Sequence, residues 1–257
     1  MRPVPATRFC LLLFVLISAG CARPFVPAEK PDIQPADIEK LKERSTFWRD
    51  YQAKFRLRVE SKTSKFSSRA IILVDGRNFV RFETFTSLGQ TAALYVSNET
   101  GPALLIPSEK VSFTAQRPET LINEFLGVSL PADIFRYALT ASVPPELLDN
   151  IESRFESGAW HLISHSGNSY FEWQIAAGSQ FVRGFTVRSA EFDGRVSYDP
   201  PVSISKEAVP GKIRISSSEW NMEIDLQELK PTHEFKPSAF YMPEMSNIKK
   251  VDLDKIK

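Results

Sequence analysis

From about Gln52 onward the chain alternates apolar and polar residues with a period of two. In KFRLRVES, Phe55, Leu57 and Val59 fall on one face while Arg56, Arg58 and Glu60 fall on the other. SRAIILVD, NFVRFETF, AALYVS, ALLIP and KVSFTA follow, separated by turn residues such as Asp75-Gly76 and Thr100-Gly101. The pattern predicts roughly six consecutive antiparallel strands. Two segments then take a helical spacing. RPETLINEFLG sets Leu121, Ile122, Phe125 and Leu126 on one stripe, with Pro118 near its start and Gly127 as a stop. LPADIFRYALT repeats the design with Ile134, Phe135, Ala138 and Leu139, closed by Pro144-Pro145. Strands resume after about Gly158, in AWHLISH, SYFEWQIA, FVRGFTVRSAEF, GKIRISSS and NMEIDLQEL, with a Pro-rich stretch of some strand character at 193–210.

A sheet of about eleven strands curls or closes rather than staying flat. The predicted fold is mainly β: an incomplete, half-open antiparallel β-barrel with a lid of short helices, forming one domain over residues 37–257. Each lid helix is apolar on one side only, so each must cover something. The stripes formed by Leu121, Ile122, Phe125, Leu126, Ile134, Phe135 and Leu139 are the candidate faces. The 19 phenylalanines and their apolar neighbours leave two readings: a filled core, or an apolar cavity with Phe55, Leu57, Val59, Val80 and Phe82 among its candidate walls. Leu88 stands apart from this pattern. It lies with Gly89 at the turn between two strands, where a polar residue is the norm. It either folds back onto the barrel rim or projects from it.

The N-terminus belongs to targeting. Arg2 and Arg8 precede the apolar run Phe9–Ile17, which is too short to span a bilayer as a stable helix, and Ser18-Ala19-Gly20 lead to Cys21. This resembles a bacterial lipoprotein signal over residues 1–20, with Ser18 where leucine is usual. The resemblance implies removal of Cys10 with the leader and lipidation of Cys21; an ordinary secretory signal would instead leave Cys21 free. Several acyl chains, at about 0.8 kcal/mol per buried CH₂, would anchor the chain firmly. Ala22, in place of an aspartate that often signals inner-membrane retention in this class, favours the outer membrane. Residues 21–36, with Pro24, Pro27, Pro31 and Pro35, read as an extended tether. A helical pattern follows, with Ile38, Leu41, Trp48 and Tyr51 near one face.

A net charge of +1 gives no support to a nucleic-acid partner. His161 and His165 sit on a predicted strand, where their spacing of about 13 Å is too long to share a metal ion. No ligand cluster, nucleophile motif or glycine-rich phosphate loop is present in the sequence. Isolated strand carboxylates such as Glu83 read as solvated or ion-paired. The expectation is a monomeric, non-enzymatic chain without cofactor or metal.

Residues 79–144 carry a more specific signal. RFETFTSLGQTAALYVSN, a further hairpin and ETLINEFLGVSLPADIFRYALTASVP resemble the LolB/LolA lipoprotein-localisation family, with a weaker match from about Trp48 to Pro243. The matching features are Leu88-Gly89, Leu126-Gly127, Pro131 and Val143-Pro144. The resemblance implies a lidded half-barrel whose apolar cavity receives acylated lipoproteins from a periplasmic LolA-like carrier and releases them to the outer membrane. It also implies that Leu88 protrudes and acts in delivery. Ser87 and Gln90 depart from the usual form of the turn, and 193–210 looks like an addition. Two other classes stay open: a binding module for another lipid or amphiphile, and a structural envelope-assembly accessory whose barrel is filled by its own side chains.

Overall fold

Tyr51, Ala53, Phe55, Leu57 and Val59 are all buried while the residues between them are not, so the first strand presents one apolar face to the core. The computed structural model describes residues 33–256, apart from 63, 77–78, 178–180, 205–206 and 233. The leader, Cys21 and most of the tether lie outside the described residues. Helix α1 (Pro35–Phe47) begins at Pro35, two residues before the expected start of the domain, because proline suits the first helical turn. It is followed by β1 (Tyr51–Ser61), β2 (Lys65–Asp75), β3 (Phe79–Phe85), β4 (Thr91–Asn98), β5 (Gly101–Ile106) and β6 (Val111–Thr114). Helices α2 (Pro118–Leu126) and α3 (Ala132–Thr140) come next. The second series is β7 (Ile151–Glu156), β8 (Ala159–Ser166), β9 (Ser169–Ala176), β10 (Val182–Arg188) and β11 (Asp193–Tyr198). It continues through β12 (Pro201–Ile204), β13 (Glu207–Pro210), β14 (Lys212–Ser217), β15 (Trp220–Pro231) and β16 (Lys249–Asp252).

Fourteen strands form one sheet in the order β16-β6-β5-β4-β3-β2-β1-β15-β14-β11-β10-β9-β8-β7. Two meanders therefore meet at the β1/β15 pair. The terminal strands β16 and β7 do not pair with each other, so the sheet stays open. Its curl is visible in the core: Leu126, Leu130, Ile134 and Leu139 from the helical segment share one apolar cluster with Phe55 of β1, Trp173 of β9, Phe185 of β10 and Ile213 of β14. A β-bulge helps. Lys54 pairs with Glu228 but Phe55 with Leu226, which lets both Leu226 and Leu229 face the core. Gly184 marks a close approach, since a Cβ there would lie 2.5 Å from the Val196 carbonyl oxygen.

The strand count exceeds the expected eleven for identifiable reasons. β7 is an edge strand, largely exposed and charged (IESRFE), so it carries no apolar alternation. The stretch 193–210 divides in two. Residues 193–198 are β11, a regular member of the main sheet, and β12 and β13 form a separate hairpin whose Val209 enters the core. β16 pairs with β6 in parallel and caps that edge. The segment leading to β16 also lays Met242 and Ile248 over Leu94, Val96 and Leu105, so β4 and β5 are covered on both faces. Arg44 of α1 donates to the carbonyls of Thr140 (3.0 Å), Ala141 (3.4 Å) and Ala208 (3.4 Å), tying the first helix to the end of α3 and to the hairpin.

Candidate lipid-accepting cavity

The register of β1 to β6 builds a floor from cross-strand rows. Ile72 pairs with Phe82, Phe82 with Tyr95, and Tyr95 with Leu104. The adjacent row runs Val74, Val80, Ser97, Pro102. Directly opposed side chains on one face lie about 5 Å apart, so each row is a continuous strip. Helices α2 and α3 cross above it. α2 stops at Gly127, whose left-handed conformation (φ 67°) lets its N–H bond the Asn123 carbonyl at 2.8 Å. Between floor and lid lies a partly open cavity of about 400 Å³. This falls within the range of small-molecule sites, about 300–1,000 Å³.

Its walls are mainly apolar. Val80 and Phe82 line it, as do Leu121, Ile122, Phe125, Leu126 and Phe135 from the lid, together with Ile72, Tyr95 and Leu104. Phe135 meets the Phe82 ring edge-on at 5.8 Å. Polar contributions come from Gln116, Glu119, Asp133 and Arg136. Burial, reinforced by Glu119 and partly opposed by a hydrogen bond with Ser97, pushes the Tyr95 hydroxyl up to about 12, so it is neutral at physiological pH.

Five expected cavity residues lie elsewhere. Phe55, Leu57 and Val59 are on the correct face but in rows nearer the β3–β4 turn, paired with Ala70, Ser68 and Phe66, and they are packed into the closed core. Ile134 and Leu139 are buried there too, beneath the lid rather than against the cavity. Phe55 still touches the site from behind. Its ring stacks on Phe82 at 6.2 Å and meets Phe135 edge-on at 6.1 Å.

Hydrogen bonds hold the α3 side of the lid. Tyr51 donates its hydroxyl to the Arg136 carbonyl at 3.3 Å, and the Arg136 guanidinium donates to the Gly76 carbonyl at 2.9 Å and to the Tyr137 hydroxyl at 2.8 Å. Burial raises the Tyr51 hydroxyl well above the ordinary phenol value, so it remains a donor.

Leu88 projects from the rim. It is 86% exposed, the most exposed large apolar side chain among the described residues. Thr86 closes the turn beneath it, accepting from Gly89 N–H at 3.0 Å and donating its own N–H to the Gln90 carbonyl at 2.8 Å. Gly89 has φ +83°, a conformation that an L side chain rarely adopts. The turn therefore holds the leucine outward.

His161 and His165 differ in their surroundings. His165 is exposed, with its ring edge-on to Tyr170. His161 is largely buried, its Nδ1 2.8 Å from Glu172 Oε1, and Arg154 (2.9 Å) and Tyr170 (2.7 Å) donate to the same carboxylate. Burial alone would raise the Glu172 carboxyl, but these hydrogen bonds outweigh it and hold it at about 2. The folded chain thus keeps this carboxylate ionised where the unfolded chain protonates it. Its stabilisation is complete above the ordinary value of 4.5 and is lost as the pH falls towards 2. Glu172→Gln is expected to cost about 2 kcal/mol at neutral pH and to flatten the acid limb of a melting-temperature profile. An unchanged acid limb would remove Glu172 as its source. Glu83 is ion-paired with Arg81 at 2.9 Å and bonded by Thr91.

Comparison with known proteins bears on the family and the fold. The family model described as outer membrane lipoprotein LolB matches residues 49–228. No curated protein sequence matches the chain. A DUF1329 family protein from Desulfovibrio piger superposes with a TM-score of 0.56 at 9% identity, covering 82% of this chain and 98% of that one. A LolA superfamily protein from Nitrosomonas europaea gives 0.54 at 9% identity, covering 80% and 97%. A Vibrio parahaemolyticus domain provisionally assigned to outer-membrane lipoprotein sorting gives 0.50 at 10% identity, covering 79% and 95%. At these identities the likeness is one of fold.

Proposed function

The chain belongs to the LolB family of outer membrane lipoproteins, and on that premise we propose that it receives acylated lipoproteins from a LolA-like periplasmic carrier and delivers them to the outer membrane. The lipid on Cys21 would hold it there, facing the periplasm. The observation that carries this reading is the apolar cavity of about 400 Å³ between the Ile72–Phe82–Tyr95–Leu104 row and the two lid helices. It suits acyl chains, each CH₂ of which gains about 0.8 kcal/mol on leaving water. Transfer is then a matter of relative apolar burial in carrier, cavity and bilayer, with no covalent step. The same cavity weighs against a barrel filled by its own side chains.

Delivery falls to Leu88. Burying an exposed leucine gains roughly 1.5–3 kcal/mol, enough to bias a tethered domain towards the bilayer. The test separates the two steps. Carrier loaded with labelled lipoprotein is mixed first with wild-type or Leu88→Glu chain and then with liposomes. Leu88→Glu is expected to accept cargo normally and to deliver it at least about tenfold more slowly, matching the lost apolar burial. Delivery at the wild-type rate removes Leu88 from the release step, and a wild type that accepts nothing ends the receptor reading.

A further inference from the structure

On the outer face of the sheet, cations are generally matched by carboxylates. Lys54 pairs with Glu228, Arg58 with Glu223 and Asp225, Lys212 with the same two, and Arg214 with Asp199. Arg183, Arg188 and Arg195 depart from this singly, each without another arginine across from it, whereas Arg56 and Arg69 depart from it as a pair. They are directly opposite each other across β1 and β2, both exposed, and among the described residues neither has an ion-pair partner. Asp225, next in the row beyond Arg56, is engaged by Arg58 and Lys212. Like charges directly opposed in a ladder are destabilising. Among the described residues no carboxylate forms an ion pair with either arginine, which points to an external anion.

Their place in the fold identifies it. The row continues from Arg69 to Phe85, the last residue of β3, and thence into the turn that carries Leu88. The Arg69 guanidinium lies against that turn, its Nη2 3.8 Å from where a Cβ on Gly89 would sit. Lys62, in the neighbouring β1–β2 turn, is exposed and likewise lacks an ion-pair partner among the described residues. The nearby carboxylates are occupied: Glu60 by Lys65 and Glu83 by Arg81. An apolar tip flanked by unmatched guanidinium groups combines the two chemistries of an anionic bilayer surface, hydrocarbon within and phosphate outside.

We propose that Arg56 and Arg69 bind the phosphate headgroups of anionic phospholipids in the membrane that Leu88 enters. The proposal rests on the reading of Leu88 as membrane-facing. It adds a requirement that an apolar tip alone does not make: engagement depends on the charge of the target membrane.

The test uses the chain from Ala22 onward with Cys21 absent. It keeps the whole described domain with its apolar core and lacks the anchor that would mask the effect. Binding is measured to vesicles of phosphatidylcholine alone and of phosphatidylcholine mixed with phosphatidylglycerol, without cargo. Arg56→Gln/Arg69→Gln is expected to bind mixed vesicles roughly 25-fold more weakly than wild type, at about fivefold per arginine. Its binding to neutral vesicles should be unchanged. Arg56→Lys/Arg69→Lys should keep most of the preference, and high salt should abolish it in the wild type. The glutamine variant should also melt no lower than wild type, since a repulsion has been removed.

Equal binding of wild type and glutamine variant to mixed vesicles overturns the proposal. So does an equal loss on both vesicle types. A variant that keeps its vesicle binding but no longer accepts cargo from a loaded carrier would reassign the arginines to carrier docking. Cargo uptake by the wild type, measured on the same samples, reports separately on the cavity, so failure of either reading is seen on its own.

Discussion

Phe55→Ala is expected to lower the unfolding free energy by about 3–5 kcal/mol, the range for deleting a fully buried aromatic ring. Phe55 is fully buried on β1, which pairs on both sides and joins the two meanders. Its ring touches Phe82 of the cavity floor and Phe135 of the lid. Its cross-strand neighbour Ala70 is too small to fill the space left behind. The loss would therefore combine transfer free energy with an unrelaxed void continuous with the existing cavity. Domains of this size are stable by about 5–15 kcal/mol, so the variant should remain folded with a much lower urea midpoint. Equilibrium urea unfolding at constant m-value checks this. Phe55→Leu should cost less than about half as much, because most of the volume is retained.

Val80→Trp should act in the opposite way, sparing the fold and blocking the site. Val80 is half-buried on β3, lies between Val74 and Ser97 in its row, and faces the cavity. An indole there enters existing empty space, so the usual overpacking cost of about 1–3 kcal/mol should be largely avoided. What it displaces is cargo. Excluding three methylenes of an acyl chain costs about 2.4 kcal/mol, or roughly fiftyfold in affinity. Labelled lipoprotein should remain on the carrier when mixed with this variant, while its melting temperature stays close to wild type. Normal uptake would mean that the chains lie elsewhere.

These variants also show how far the sequence could be read. The alternation of KFRLRVES assigns Phe55 to the inner face, and the structure agrees. Alternation cannot place Phe55 in a row behind the cavity and Phe82 in its floor. That depends on which residues meet across each hairpin, and a register is a long-range property set by turns and bulges. Hence Ile72, Tyr95 and Leu104 were not anticipated as cavity residues although each belongs to an anticipated strand. The helical stripes were more legible, since Pro118 and Gly127 bound a period that tertiary contacts do not alter. Even so, a stripe has depth, and Leu139 sinks into the core while Phe135 reaches the cavity. The charged edge strand β7 left no apolar signature. The covering segment near Met242 and Ile248 had one indirect sign, the unbroken apolar run Ala93-Leu94-Tyr95-Val96, which reads as a strand buried on both faces. Leu88 was legible as an anomaly, and its direction required the backbone of Gly89.

The most direct measurement is of where an acyl chain lies after transfer. A photoreactive residue would be placed at Ile122, which lines the cavity from the lid, and separately at Arg214 on the outer face of the sheet. Each chain would be mixed with carrier bearing a lipoprotein labelled in its acyl chains, then illuminated. Labelled adducts from position 122 and none from 214 are the expected result, and prior Val80→Trp substitution should suppress them. Cargo that leaves the carrier yet gives no adduct at 122, or gives equal adducts at both positions, would contradict a cavity that holds the lipid.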